Sequence, residues 1–390
     1  MVVLVPASRV FAVYASCDFS VQQKQLEVQN RFRPLLEWDP LAEGIPFEDI
    51  RADQFALIPQ CHPYWFRMRQ GKISGSTCSA MIGDADPAMQ EIMRMPPYIT
   101  TDKTRMALMQ LAGCRLSLPE RGQQFATIGK LTETWIAMSV AANVDRLLEI
   151  SVVQQAVEGA RAWDDPSKNC LEGCPLQETG LRATPVPDLW VSPDALFGNQ
   201  IPLEIKRRVP VRCDPTQRHP DTDEILLQCL PNGNPCASKG IPPYYMLQTL
   251  AEQLTATIHE PDRPGPPRHP KVAFFISQGL VDAAIYMLQV RRHVQRQLIE
   301  VMNAVATIKQ HPDALKDVVY GKMFMSDYIA SVTEDPELLF DFWKNVAAIQ
   351  KDSRPVLMLD RDTDQPQDRF FDLTADQWQQ CLDVHGISVQ

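Results

Sequence analysis

The stretch PDLWVSPDALFGNQIPLEIK, residues 187–206, decides how this chain is interpreted. Two runs within it, residues 187–191 and 201–206, have the character of short strands. A turn is predicted between the runs, with Pro193, Gly198 and Asn199 as its turn-forming residues. The stretch is therefore predicted to form a hairpin of two adjacent strands.

This predicted hairpin brings two carboxylates and a lysine together. Asp188 lies in the first run, and Glu204 follows sixteen positions later in the second. Because side chains alternate along a strand, Glu204 and Lys206 share one face while Ile205 points away. Two such carboxylates can share a hard divalent cation, Mg²⁺ or Mn²⁺, with the Ile205 carbonyl oxygen as a further ligand. A hairpin with a surface ion pair is the alternative interpretation, since Glu-x-Lys is common in strands.

Three further motifs have the residue types that phosphate chemistry uses. The sequence WFRMRQGKISGS, residues 65–76, offers Arg67 and Arg69 for charge-assisted hydrogen bonds to phosphate. It continues into a Gly/Ser turn, ending at Ser76, that opens a predicted helix with free N–H groups. The other two motifs are GKLTE, ending at Glu133, and PYYMLQ, ending at Gln248. A capped helix start with solvated arginines, an ordinary first-turn glutamate and core tyrosines are the alternatives.

In this order, the four motifs resemble the lambda-exonuclease/YqaJ family over residues 61–310. That family belongs to the PD-(D/E)XK superfamily and has relatives among large DNA viruses and the herpesvirus alkaline nucleases. Two positions depart from the family pattern. VPDL at residues 186–189 stands where Ser-Pro-Asp-Gly is usual, and Leu250 stands where a second Gln is common.

The resemblance implies a metal-dependent DNA exonuclease that hydrolyses phosphodiester bonds 5′→3′ on linear duplex ends, in viral or phage-type recombination or genome processing. It implies that the metal is held by Asp188, Glu204, Glu133 and the backbone carbonyl of Ile205. It also implies that Gln248 braces Lys206 or the attacking water. Arg69 and Ser76 would hold the terminal 5′-phosphate. It also implies a single-strand annealing protein as partner. An endonuclease or a DNA/RNA nuclease of the alkaline nuclease type is one alternative, and a non-catalytic nucleic-acid-binding protein with the same fold is another. The resemblance leaves the oligomeric state open.

Positive charge continues past the hairpin. Arg207 and Arg208 follow Lys206 directly and are predicted to contact the DNA backbone. A solvated strand end is the alternative. The family more often has a Cys or Ser followed by Pro at these positions.

Helical and strand-like segments alternate along the chain, which predicts an α/β fold with a mixed central β-sheet flanked by helices. The resemblance implies that this sheet is the restriction-endonuclease-like core of the PD-(D/E)XK superfamily. The predicted organisation is an N-terminal extension over residues 1–60, a nuclease core over 61–310 with an inserted loop at 209–243, and a C-terminal helical extension over 311–390.

Composition is that of an ordinary globular protein, with 45% hydrophobic residues and a formal net charge of −10 among 390 residues. This balance argues against a passive nucleic-acid coat. No leader of the secretory type and no transmembrane stretch are expected, and the ten cysteines are taken as reduced, which predicts an intracellular protein. Because no Cys-x-x-Cys pair occurs near the predicted hairpin, an iron–sulfur cluster or zinc is not expected; the five cysteines concerned are Cys170, Cys174, Cys213, Cys229 and Cys236.

Overall fold

The chain folds as a mixed α/β protein in which a mixed central sheet packs against helices, which confirms the predicted mixed sheet with flanking helices. The computed structural model describes residues 3–16, 31–33, 38–60, 62–82, 101–114, 133, 136–161, 176–197, 201–207, 211–229, 240–255, 272–278, 282–360 and 383.

The strands within these ranges are β1 (Val3–Pro6), β2 (Phe32–Arg33), β3 (Leu176–Gln177), β4 (Arg182–Ala183), β5 (Trp190–Val191), β6 (Ala195–Phe197), β7 (Ile201–Arg207), β8 (Val211–Arg218), β9 (Ile225–Cys229), β10 (Val272–Gln278), β11 (Asp282–Gln289) and β12 (Pro355–Asp360). The helices are α1 (Ala7–Ser16), α2 (Pro63–Arg69), α3 (Gly75–Ile82), α4 (Thr101–Leu111), α5 (136–142), α6 (Val144–Glu149), α7 (Ser151–Arg161), α8 (Pro243–Gln253), α9 (Arg292–Thr307), α10 (Pro312–Val319), α11 (Met325–Thr333) and α12 (Leu338–Asp352).

The central sheet has the strand order β12-β11-β10-β7-β6-β3-β2. The pairs β10–β7 and β2–β3 are parallel, and the other neighbours are antiparallel. Every residue of β10 is buried, as expected for a central strand that is covered on both faces. Strand β12 comes from the predicted C-terminal extension, so this part of the chain completes the sheet.

Helices cover both faces of the sheet. Phe275 and Tyr286 point into a core formed with α3, α4, α8, α9, α11 and α12. Phe274 and Ile276, one position away along β10, point into a second core with α5, α6 and α7. The period-two alternation of β10 therefore divides the interior into two apolar layers, with the sheet between them.

The hairpin that contains Glu204 differs from the predicted one. The partner of β7 is β6, with Ala195 opposite Leu203, whereas β5 pairs with β4 in a separate two-stranded sheet. The predicted strand at residues 187–191 is therefore wrong as the partner of 201–206. Pro193 explains the break, because its fixed φ and missing N–H separate the strand before it from the strand after it. Gly198 and Asn199 lie outside the described residues.

Other predicted elements meet mixed outcomes. The sequence also predicts strands near residues 2–5, 271–277 and 284–290 and helices near 244–258, 293–308 and 336–349. The corresponding elements are β1, β10, β11, α8, α9 and α12. The inserted loop at 209–243 is in part wrong, because β8 and β9 form a hairpin that pairs with β1. The predicted helix over 129–150 is broken at Asn143, which separates α5 from α6. Most of the polar helix predicted around residues 21–36 lies outside the described residues, and it is wrong at Phe32–Arg33, which form β2.

A third, smaller apolar core lies apart from these two layers. Its buried side chains include Phe55, Ile58, Trp65 and Trp190. Gly180 lies against this core, where a Cβ would clash with the backbone carbonyls of Phe55 and Ile58. The close backbone approach therefore requires glycine at this position. None of the described helices is long and apolar enough to cross a bilayer.

Candidate nuclease site

Strand β7 carries the first two side chains of the site. Glu204 is fully buried and Lys206 is 21% exposed, and the Lys206 ammonium forms an ion pair with Glu204 Oε1. Ile205 points the other way, into the second core. The predicted alternation along this strand is therefore observed, and both polar side chains line a polar cleft of about 130 Å³.

Asp194 is the carboxylate that accompanies Glu204. It lies directly before β6, lines the polar cleft and accepts a hydrogen bond from the Ile205 backbone N–H at 2.6 Å through Oδ2. Its position follows from the short β6–β7 hairpin. The sequence carried a signal for it, since SPDA at residues 192–195 is closer to the family's Ser-Pro-Asp-Gly than VPDL at 186–189.

Asp188 does not join this group, and the prediction that pairs it with Glu204 needs correction. Its carboxylate accepts from Lys72 Nζ at 2.9 Å and from Lys309 Nζ at 3.1 Å. The Ile73 N–H donates to the Asp188 carbonyl at 2.7 Å, which fixes this segment beside residue 73. Burial raises the pKa of Asp188, but the two lysines outweigh it and hold the pKa below its ordinary value. Asp188 links the segments that carry Lys72 and Lys309, and it is not among the residues that line the polar cleft.

Helix α8 supplies two more polar side chains, one turn apart. Gln248 Nε2 donates to Glu204 Oε1 at 2.5 Å and to Glu252 Oε1 at 3.0 Å. Gln248 was predicted as a brace for Lys206 or the attacking water, whereas its amide holds the carboxylates of Glu204 and Glu252. Glu252 was not predicted. Its position four residues after Gln248 puts it on the same helix face, which was the available signal.

Residues from the motif at 65–76 also line the polar cleft, and these are Trp65, Arg69, Ser74, Gly75 and Ser76. Arg69 stacks over the Trp65 ring at 4.3 Å, and its Nε is buried and makes no hydrogen bond within the described part of the chain. Ser74 directly precedes α3, and Ser76 lies in its first turn. Their hydroxyl oxygens are 3.1 Å apart. Burial lowers the pKa of Arg69 to about 10, so the guanidinium remains charged at neutral pH.

The remaining predicted residues differ in where they lie relative to the polar cleft. Glu133 lines the polar cleft. Arg67 pairs with Glu48 at 2.6 Å, is half exposed and does not line the cleft. Arg207 ends β7, and nothing is described of its side chain, whereas Arg208 lies outside the described residues. Of the cysteines near the hairpin, Cys213 and Cys229 lie in β8 and β9, and the other three lie outside the described residues.

Buried charge sets the electrostatics of the site. Burial raises the pKa of Glu204 well above its ordinary value, and the carboxylates of Asp194 and Glu252 raise it further. Burial is also the largest cause of the raised pKa values of Asp194 and Glu252. Burial opposes the ammonium of Lys206, but Glu204 and Asp194 outweigh it and raise its pKa well above the ordinary value. The Lys206 ammonium is therefore stabilised, and burial together with the neighbouring carboxylates makes ionisation of the three carboxyls unfavourable until a cation offsets their charge.

A divalent cation fits this group by chemistry. The donors are carboxylate oxygens, and Glu204 Oε2 and Glu252 Oε2 are buried with no hydrogen-bond partner in the described structure. Among the described residues, no group of three or more His, Cys, Asp or Glu side chains is already arranged to hold a metal ion. Lys206 and Gln248 hold Glu204 Oε1 and Asp194 faces a backbone N–H, so a cation would compete with these contacts.

The raised carboxyl pKa values give a prediction for the metal-free protein. In the unfolded chain these groups ionise near pH 4, whereas in the folded protein they stay protonated to higher pH. Their contribution to the free energy of unfolding is therefore complete below about pH 4 and is lost as pH rises through the folded-state values. We expect thermal melting in chelator to show a smaller decline with rising pH in Glu252→Gln than in the unchanged protein. Glu300→Gln, at an exposed position, is the control; equal declines in all three proteins would contradict the expectation.

Comparisons with protein-family models, with curated proteins and with solved structures find no match to this chain.

Proposed function

We propose that this protein is a metal-dependent deoxyribonuclease of the PD-(D/E)XK type, with the restriction-endonuclease-like core of that superfamily. The observation that carries the proposal is the convergence of Asp194, Glu204 and Lys206 on one polar cleft. All three come from the β6–β7 hairpin and its leading residue. This arrangement corresponds to the Asp, then Glu-x-Lys pattern by which the chain resembles the superfamily.

The acidic group supports binding of Mg²⁺, with Mn²⁺ as its substitute. Both cations prefer carboxylate and carbonyl oxygens, and the residues that would hold the ion are Asp194, Glu204 and Ile205 through its carbonyl. Glu133 lines the same cleft and is the further candidate ligand from the sequence. When bound, the cation would supply a water of lowered pKa and stabilise negative charge on the leaving oxygen.

Lys206 and Gln248 would act on the substrate side of this group. The ammonium of Lys206 is fixed by Glu204 and lies 5.5 Å from the centre of the Tyr245 ring, so its position is restrained from two sides. It is therefore placed to orient the attacking water or to offset charge on the phosphorane. The Gln248 amide holds the Glu204 carboxylate in position.

The wall of the polar cleft that comes from the motif at 65–76 supports binding of a phosphate. Arg69, Ser74 and Ser76 line the same polar cleft as the acidic group, and the buried Nε of Arg69 has no hydrogen-bond partner among the described residues. Arginine makes forked, charge-assisted hydrogen bonds to phosphate, and the start of α3 adds backbone N–H groups. We assign this wall to the terminal 5′-phosphate of a DNA strand, which favours 5′→3′ digestion from linear duplex ends.

Biological context comes from the resemblance of the sequence. It places the activity in viral or phage-type recombination or in genome processing, with a single-strand annealing protein as partner. Such a partner would receive the single strand that the exonuclease leaves.

The proposal is tested by digestion of linear duplex DNA that ends in a 5′-phosphate or a 5′-hydroxyl. We expect Mg²⁺-dependent loss of one strand, faster from the phosphorylated end and stopped by chelator. Arg69→Met is expected to reduce the preference for the phosphorylated end by about 10-fold or more, because it removes charged hydrogen bonds to the phosphate. Arg67→Met removes an arginine outside the cleft and should keep the preference.

Other outcomes would redirect the proposal. Equal cutting of closed circles would indicate an endonuclease, and cutting of RNA would indicate an enzyme of the alkaline nuclease type. Binding of DNA without cleavage in either Mg²⁺ or Mn²⁺ would leave a nucleic-acid-binding protein. An unchanged preference in Arg69→Met would remove the phosphate assignment but not the nuclease.

A further inference from the structure

We infer that Glu252 of α8 is a further carboxylate ligand of the divalent cation, opposite the ligands on the β6–β7 hairpin. The inference rests on the proposed function, because it assigns one more residue to the same metal. Neither the four sequence motifs nor the family pattern includes this position. The cation would therefore be held by a strand on one side and by a helix on the other.

The packing of α8 places Glu252 inside the site. Glu252 is fully buried and lines the polar cleft together with Asp194 and Glu204. Gly75, the first residue of α3, allows this close approach. A Cβ there would lie 3.2 Å from Gln248 Cγ and 3.5 Å from Glu252 Oε1. The absence of a side chain at residue 75 thus leaves the two polar side chains of α8 room beside the start of α3.

Unused oxygen atoms are the second observation. Gln248 Nε2 holds Oε1 of both Glu204 and Glu252, yet Oε2 of each carboxylate is buried without a hydrogen-bond partner in the described ranges. A buried carboxylate oxygen without a partner is costly. The two carboxyl groups also lie within hydrogen-bond reach of each other, so a shared proton satisfies these atoms in the metal-free protein, and a divalent cation bound by both would take the place of that proton.

Charge in the polar cleft supports a divalent ion. Among the described residues that line it, four are acidic, namely Asp194, Glu204, Glu252 and Glu133, and two are basic, namely Lys206 and Arg69. The formal balance of these groups is −2, which is the charge that one divalent cation neutralises. Without Glu252 the balance is −1, so this glutamate completes the match. A small low-dielectric cleft makes such neutralisation important.

A purely structural role for Glu252 is the alternative, in which it only accepts the hydrogen bond from Gln248. Glu252→Gln separates the two roles, because glutamine keeps an acceptor oxygen at the same position but loses the negative charge. Glu252→Asp is the reverse test, since it keeps the charge and shortens the side chain. The exposed Glu300→Gln of α9 makes the same chemical change away from the cleft.

The experiment is calorimetric titration of Mn²⁺, and of Mg²⁺, into the metal-free full-length protein and its variants. We expect Glu252→Gln to raise the Kd for Mn²⁺ by about 10- to 100-fold and Asp194→Asn to raise it further. Glu252→Asp should bind more tightly than Glu252→Gln, and Glu300→Gln should bind as the unchanged protein does. Circular dichroism of each metal-free variant reports whether it has folded, and Glu252→Asp carries the test if Glu252→Gln has not.

The possible results separate this inference from the proposed function. Unchanged Kd in folded Glu252→Gln, together with loss of binding in Asp194→Asn, overturns the inference and leaves the nuclease proposal in place. Equal weakening in the Gln and Asp variants indicates a role in packing, and it also overturns the inference. Absence of Mn²⁺ and Mg²⁺ binding by the unchanged protein overturns both.

Discussion

Asp194→Asn is expected to reduce the Mg²⁺-dependent cleavage rate by more than about 100-fold, because the loss of a ligand should exceed the cost of losing a residue that only orients one. Asp188→Asn is expected to stay within about threefold of the unchanged protein, as substitutions away from a site usually do. The asparagine at residue 194 keeps an oxygen that can accept from the Ile205 N–H, so the hairpin retains its hydrogen bond. The measurement is the initial rate on linear duplex DNA with 5′-phosphate ends.

This pair of variants tests the assignment directly, since each change removes one negative charge at constant size. Asp194→Asn removes a buried carboxylate whose pKa burial raises, so the metal-free variant should be at least as stable as the unchanged protein. Asp188→Asn weakens the clamp with Lys72 and Lys309 and should lower the melting temperature slightly. A large loss of cleavage in Asp188→Asn with little loss in Asp194→Asn would return the metal ligand to Asp188.

The sequence predicted the second strand of the hairpin well and the first strand poorly. Glu204, Ile205 and Lys206 lie in one strand with the expected alternation, because the period of a strand is a local property. Which carboxylate faces them depends on strand pairing, which is not local. Pro187-Asp188 and Pro193-Asp194 both offer a Pro-Asp pair. The serine before Pro193 favours the second pair, and the pairing of β6 with β7 decides for it.

The contribution of α8 also exceeds what the sequence could give. The motif at residues 243–248 predicted Gln248, but a buried Glu252 is improbable by composition, because glutamate is seldom fully buried without a partner. Its burial follows from the packing of α8 against α3 at Gly75, a contact between segments far apart in sequence. Tertiary packing therefore brings into the site a residue that the sequence motifs do not contain.

The apolar layers show the same difference between local features, which the sequence predicts, and long-range strand pairing, which it does not. The hydrophobic run within residues 271–277 predicted a strand, and both faces of β10, which forms there, are covered by helices. In contrast, the polar and Pro-rich stretch at 209–243 favoured a loop, although β8 and β9 pair there with β1. Backbone pairing with a distant strand can override such a composition.

Lys206→Met is expected to reduce kcat by about 10²- to 10³-fold, the effect typical of removing one donor that stabilises transition-state charge. Methionine keeps an unbranched side chain of similar length, so the change removes the ammonium with little loss of packing. The ammonium also offsets the buried carboxylates, and its loss should destabilise the metal-free protein by about 3 kcal/mol. Single-turnover cleavage and urea unfolding, both at saturating and at zero Mg²⁺, measure the two effects separately.

Lys72→Met is the matched control for this lysine. Lys72 is 28% exposed and pairs with Asp188, whereas Lys206 is 21% exposed and pairs with Glu204, so the two lysines differ chiefly in the carboxylate that they contact. We expect Lys72→Met to cleave at nearly the normal rate, since Lys309 still contacts Asp188. Because the pKa of Lys206 is raised well above its ordinary value, its ammonium persists at alkaline pH, and the difference between the two variants should persist across the neutral and mildly alkaline range. Normal single-turnover cleavage by Lys206→Met would mean that this ammonium only balances charge in the fold, and the chemistry would then have to be assigned to other residues of the polar cleft.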